Sequence, residues 1–243
     1  MKANLTTSTG GFRFPPGDAR TTVIGQTGSG KTVCGAWLLA HQRLDKRPWI
    51  VIDFKIERLF DEVGCPPLIE WPLDHRTAVP KRPGLYIMSP RPGQEDDLEA
   101  FLWRVWQREN VGLYIDEGAH MPIGPAFQAI LQQGRSKRIP CIILAQRPVK
   151  VNREVFSEAG FFAVYRMADQ RDYKVVEGFI PADLSLPLKP FHWRWYDVAH
   201  NRLLTMGPVP PPERVAEQLL AAIPPRYTFH PFGWTSQPSR RRA

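Results

Sequence analysis

The octapeptide Gly25-Gln-Thr-Gly-Ser-Gly-Lys-Thr32 constrains this chain more than any other feature. Ahead of it, Thr21 to Gly25 is a short apolar run closing on glycine, which reads as a buried strand. Behind it, Val33, Ala36, Trp37, Ala40 and Leu44 recur at helical spacing. Strand, G-x-x-x-x-G-K-[ST] and helix, in that order, describe a loop that wraps backbone N–H groups around a phosphate at the positive end of a helix dipole. Gly25, Thr27, Gly28, Ser29 and Gly30 would then form the cradle of a nucleotide site. Lys31 would reach the β- and γ-phosphates, and the Thr32 hydroxyl would ligate Mg²⁺. The plainer alternative is a glycine-rich turn that only caps a helix, and the flanking strand and helix argue against it.

A nucleotide site needs a second, acidic anchor. "VGLYID", Val111 to Asp116, is a core strand, and Asp116-Glu117 stands at its C-terminal end, where ligands of open α/β sheets bind. Asp116 suits the Mg²⁺ shell, and Glu117 suits a base that polarises the attacking water. The adjacent acids point to hydrolysis rather than phosphoryl transfer to a metabolite, for which no acceptor site is visible. A GTPase would carry an N-K-x-D guanine motif, which is missing, and a two-lobed helicase would need a longer chain.

Further strands are expected at Trp49 to Asp53, within "GLYIM", at Ile139 to Ala145 and at Gly160 to Met167. Helices are expected at Gln94 to Arg108, where Leu98, Phe101, Leu102 and Val105 form one stripe, at Ala126 to Gln133 and at Glu213 to Ile223. Continuous apolar strands alternating with amphipathic helices predict an α/β fold with a mostly parallel sheet flanked by helices. "FHWRWYD" and "NRLLTMG" predict a C-terminal hairpin, with Trp193 and Trp195 half-buried rather than forming a base-stacking platform. The stretch from Pro66 to Pro92 holds seven prolines and reads as a long surface excursion. The divisions expected are an N-terminal segment 1–20, an ATPase domain 21–207, and a C-terminal helix and basic tail 208–243.

Lys+Arg 32 against Asp+Glu 24 gives a net charge of +8, which favours a polyanionic partner. Cys34, Cys65 and Cys141 are odd in number and widely spaced, which argues against a disulfide framework or a zinc site and for a reducing compartment. The first residues lack the apolar core of a signal peptide, and no window approaches a membrane span, so a soluble, cytoplasmic protein is expected.

Taken together, the phosphate loop, "VIDFK" with Asp53 and Lys55, "LYIDE", and a strand ending in "AQRP" resemble the FtsK–HerA superfamily of ring-forming DNA translocases. The compact size is most similar to its genome-packaging branch, from membrane-containing icosahedral viruses. The resemblance spans roughly Gly25 to Met167. It implies a RecA-like core, a hexamer, ATP with Mg²⁺, double-stranded DNA as substrate, work in the host cytoplasm, and a capsid or portal-vertex partner. It also implies that Gln146 is a polar sensor of the γ-phosphate or lytic water, and that Arg135 is an arginine finger offered to a neighbouring subunit. Lys137 and Arg138 read equally as a solvated loop or as DNA contacts, and Asp53 and Lys55 equally as a strand end or as site residues. Arg147 reads as a structural partner for an acid. Arg76, Lys81, Arg82 and Arg91 are candidates for tracking a DNA backbone, and Arg240 to Arg242 read as a tail. A plasmid or cellular DNA-transfer motor of the same superfamily, or a phage assembly or secretion ATPase acting on protein, are the alternatives.

Overall fold

A computed structural model describes residues 12–63, 68–224, 228–230 and 233–235. The opening residues, Cys65 and the Arg240 to Arg242 run lie outside them. Chain order is β1 (Arg20–Ile24), α1 (Lys31–Ala40), β2 (Pro48–Ile52), α2 (Arg58–Val63), β3 (Leu68–Glu70), β4 (Gly84–Met88), α3 (Glu95–Arg108) and β5 (Gly112–Ile115). There follow α4 (Pro125–Gln133), β6 (Cys141–Ala145), α5 (Glu154–Ser157), β7 (Phe161–Val164), α6 (Gln170–Glu177), β8 (Trp193–Asp197), β9 (Arg202–Met206) and α7 (Pro212–Ala222). A separate small hairpin pairs β10 (Thr228–His230) with β11 (Gly233–Thr235).

The main sheet has nine strands in the order β3-β4-β2-β5-β6-β1-β7-β8-β9. Every neighbouring pair from β3 to β7 is parallel, and β8 and β9 add an antiparallel edge. The alternation of a strand fixes which residues face which side. Ile50, Ile52, Leu113, Ile115, Cys141 and Ile143 enter the core under α3 and α4, while Trp49, Val51, Tyr114, Ile142 and Leu144 enter the core under α1 and α7. Both faces are covered, so β2, β5 and β6 are buried along their full length. Each fully buried Ile, Leu or Val contributes about 1.5–3 kcal/mol of transfer free energy.

The expected helices and hairpin form close to the expected bounds. Gln94 caps α3 instead of joining it, and Glu109 and Asn110 end that helix with left-handed φ values of 56° and 52°. The run Gly160 to Met167 narrows to Phe161–Val164, because Arg166 O accepts from the Gln26 amide (3.0 Å) and Met167 N donates to the Tyr173 hydroxyl (3.0 Å). The strand expected from Ile139 starts at Cys141, since Ile139 N closes a turn on Gly134 O at 2.7 Å. Trp193 and Trp195 are fully buried against α1. The proline-rich excursion supplies β3 and β4 and is tied down by Trp71 Nε1 donating to Ala78 O (2.8 Å) and Gln94 Nε2 to Leu73 O (2.9 Å). Cys34 and Cys141 are buried free thiols on opposite faces of the sheet, both pushed up to about 12 by burial. Among the described residues, no helix is long and apolar enough to cross a membrane.

Candidate functional site

The loop from Gly25 to Thr32 runs from the C-terminal end of β1 into α1. Gly28 (φ 75°) and Gly30 (φ 96°) take left-handed conformations that side-chain-bearing residues rarely adopt, which is why the turn needs glycine there. Gly30 is the N-cap of α1 and makes no side-chain capping bond, so the orphan N–H groups of the first turn stay available to an anion. The loop is anchored on both sides: Gly25 N donates to Ala145 O (3.1 Å) and Gln26 N to Arg166 O (3.0 Å). Lys31 is 6% exposed. Burial first, then repulsion from Lys55, holds its ammonium below the usual lysine pKa, against the pull of Glu117 and Asp116. A bound phosphate would relieve both effects.

The sheet order determines what faces this loop. Strand β6 lies between β1 and β5, so Gln146, just past β6, sits between the phosphate loop and the acidic pair that ends β5. Gln146 Nε2 donates to Thr27 Oγ1, and Gln146 N donates to Glu117 Oε1 at 3.2 Å. Lys55 Nζ donates to the other oxygen of Glu117 at 2.8 Å and lies 3.9 Å from Asp116 Oδ2. Burial works against the Lys55 ammonium, but the Glu117 hydrogen bond and the nearby carboxylates outweigh it and raise its pKa. A continuous chain therefore runs from Thr27 through Gln146 and Glu117 to Lys55.

Asp116 is fully buried, and neither carboxylate oxygen has a hydrogen-bond partner. Burial pushes its pKa up to about 7; Lys55 opposes this, and the Glu57 and Asp53 carboxylates reinforce it. Two unsatisfied buried oxygens beside a phosphate loop fit a hydrated divalent cation. Thr32, one residue into α1, offers the hydroxyl on the loop side.

Lys55 owes its position to Asp53. Asp53 Oδ1 accepts from the amides of Lys55 (3.0 Å) and Ile56 (2.7 Å), and Oδ2 from that of Glu57 (3.0 Å). The register pairs Ile52 with Ile115, so Asp53 and Asp116 leave adjacent strands side by side. Asp53 shapes the turn that carries Lys55, and Lys55 contacts the candidate base Glu117, so the structure brings both to the candidate site. The shared strand-end pattern of "VIDFK" and "LYIDE" was the available signal.

The remaining basic residues separate. Arg147 pairs with Asp172 (3.0 Å) and Asp169 (3.2 Å), joining the end of β6 to α6, as a structural residue should. Lys137 is held by Glu109 (2.7 Å) and lies over the Trp106 ring, so it is tied into the fold. Arg138 adopts φ 55°, and its carbonyl accepts from Arg47. Arg135 stands before β6, at the opposite end of that strand from Gln146; its side chain is 82% exposed, 3.9 Å from Asp18. It does not reach the phosphate loop of its own chain. Lys81 and Arg82 precede β4 and Arg91 follows it, so these candidates lie at opposite ends of one strand rather than in one patch.

No protein-family model matches the sequence. Over 216 residues the chain is 40% identical to the DNA packaging ATPase P9 of Enterobacteria phage PRD1, covering 84% of this chain and 93% of that protein. The fold resembles the genome packaging NTPase B204 of Sulfolobus turreted icosahedral virus 2, solved with ATP-γS, with TM-score 0.58, 17% identity, and coverage of 81% of this chain and all of that one. It also resembles the pCW3 conjugation coupling protein TcpA, solved with ATPγS, with TM-score 0.60, 13% identity, and coverage of 86% of this chain and 67% of that one.

Proposed function

The chain belongs to the family of DNA packaging ATPases that includes P9 of phage PRD1, and from that premise we propose that it hydrolyses ATP to drive double-stranded DNA into a viral capsid. The observation that carries this reading is the hydrogen-bonded chain Thr27–Gln146–Glu117–Lys55, which ties a would-be general base to the phosphate loop. The loop amides and Lys31 bind the phosphates; Asp116 and Thr32 would hold Mg²⁺, which offsets phosphate charge when bound. Glu117 accepts a proton from the attacking water, while its bonds from Lys55 and the Gln146 amide orient the carboxylate. Gln146 reports the γ-phosphate through its bond to the loop. The 40% identity to a packaging ATPase favours this role over that of a conjugation coupling protein such as TcpA, to which the likeness is one of fold at 13% identity.

A ring is part of the proposal, and the hexamer and a capsid-vertex partner belong to it. Arg135 is the candidate finger, because it is exposed, weakly partnered and remote from its own nucleotide. Net charge +8 suits contacts to a phosphate backbone that need no base readout.

Glu117→Gln in the purified chain should bind ATP normally while turnover falls by about 10²–10⁴-fold. Double-stranded DNA should raise the wild-type ATPase rate, and the stimulation should weaken steeply with salt. A wild-type rate indifferent to DNA would argue for the protein-secretion role instead.

A further inference from the structure

Helix α6 separates two clefts whose charge is of one sign. On one side, Arg166, Tyr173, Ser185, Leu186 and Arg194 border a cleft of about 320 Å³. On the other, Val149, Arg153, Phe156, Lys174 and Phe179 border one of about 300 Å³. Neither cleft has an aspartate or glutamate in its lining. Tyr173 and Lys174 are consecutive, and at 3.6 residues per turn they stand about 100° apart around the helix, so α6 is the ridge between the clefts. In sequence these four bases belong to separate segments, and only the fold gathers them.

Arg194 supplies the second observation. It is 7% exposed, faces Val164 across the β7–β8 pairing, and donates to Leu184 O (2.9 Å) and Leu186 O (2.6 Å). Among the described residues no carboxylate forms an ion pair with it, although buried arginines are ordinarily paired. Arg166 and Lys174 are exposed, and among the described residues their side chains also have no acid partner. Arg153 rests over the Phe179 ring, 5.1 Å from its centroid. The acids of this region are engaged elsewhere. Asp169 and Asp172 hold Arg147, Asp169 also holds Arg171, and Glu177 accepts from the Leu184 amide at 2.9 Å. The surface therefore carries cationic charge that the fold itself does not neutralise.

We propose that α6 and its two clefts grip the DNA duplex, with a backbone phosphate of each strand at one cleft; this rests on the DNA-motor reading above. The ridge is one helix wide, about 10–12 Å, comparable with the major groove and the phosphate strands along its two edges. Arg166 and Lys174 contact the phosphates, and Arg194 adds its charge from behind. Such contacts fix position without reading sequence, as a motor that passes every sequence requires. The grip is also joined to the nucleotide site. Arg147 follows Gln146 and pairs with Asp169 and Asp172, while Val149 N donates to Asp172 Oδ1 at 3.0 Å. A change at Gln146 thus reaches the helix that holds the DNA.

Fluorescence anisotropy of a labelled duplex titrated with the full chain at a series of salt concentrations tests this without turnover. The readout is the slope of log Kd against log salt. Arg166→Ala combined with Lys174→Ala should weaken binding at low salt by about tenfold or more and lower the slope by about 2, one for each contact. Both side chains are exposed, so the fold should tolerate their loss. Arg166→Lys combined with Lys174→Arg should keep the wild-type slope. Lys81→Ala removes the same charge away from α6 and should leave the slope unchanged; a fall of about 1 there would reduce the effect to net charge and overturn the surface. A wild-type slope in the double alanine variant also overturns it and leaves the DNA-motor reading standing. Failure of the wild-type chain to bind the duplex would overturn both. Loss of polyglutamate binding with duplex affinity intact would assign the surface to an acidic protein and overturn the assignment to DNA.

Discussion

Lys55 and Asp116 are the residues whose chemistry depends most on the fold. Lys55 lies 62 positions from Glu117 in sequence, and only the pairing of β2 with β5 closes that gap to 2.8 Å. Sequence spacing cannot express such a contact, so Lys55 read equally as a strand end, whereas the phosphate loop is local and was legible throughout. Arg147 was legible as a structural residue, although its partners Asp169 and Asp172 were not. Lys55→Ala should slow hydrolysis by about 10–100-fold, the cost of one hydrogen bond to a charged group, in steady-state assays at saturating ATP. An unchanged rate would remove Lys55 from the mechanism. Asp116 gives a pH-dependent prediction for the nucleotide-free chain. Burial raises its folded pKa to about 7, above the ordinary aspartate value of 3.8, so the folded state holds this proton more tightly than the unfolded chain. The stability this contributes is complete below the unfolded pKa and is lost as pH rises from about 4 to about 7. Asp116→Asn should therefore stabilise the protein at pH 8 by about 2–4 kcal/mol and have little effect near pH 4. Urea unfolding at both pH values checks it; equal gains at both would contradict the assignment.

At the scale of elements, legibility followed length and continuity. The five-residue apolar runs of β2, β4 and β6 announced themselves, and α3 did so through its stripe and its charged ends. Strand β3 has three residues and α5 four, too few for any periodicity to register. Helix α6 has eight, with an Asp169 cap and only Val176 as a fully buried apolar residue. The proline-rich stretch read as a surface excursion around one strand; that strand, β4, pairs in parallel with β2, and β3 in the same stretch, which adds the sheet edge, was not legible. One close approach governs β2 and β5: Gly112 faces Trp49, and a Cβ there would lie 2.2 Å from the indole ring. Gly112→Ala should cost about 1–3 kcal/mol by overpacking. Thermal unfolding would register it, and Trp49→Leu in the same chain should recover part of the loss. If the double variant is no more stable than Gly112→Ala alone, the indole is not the obstacle.

At the scale of the whole molecule, the ring proposal rests on Arg135. Arg135→Ala alone should lower turnover by about 10³-fold or more, in keeping with the worth of an arginine finger. Mixed with Lys31→Ala chains, which keep Arg135 but lack the phosphate lysine, it should regain part of the activity, since some interfaces then hold one intact site. Absence of any rescue would confine Arg135 to its own chain. Arg135 lies in the turn before β6 and Gln146 follows its last residue, so the five-residue strand, about 13–17 Å long at the rise of an extended strand, separates the two. In a ring that strand is a short connecting rod. One end would touch a neighbour's nucleotide, and the other is bonded to the loop that grips its own. Loss of the γ-phosphate next door would change the load on Arg135, and β6, held rigidly between β1 and β5, could pass that change to Gln146 only by moving as a body. Sequential firing around a ring would then need no domain motion at all, only the axial play of five residues.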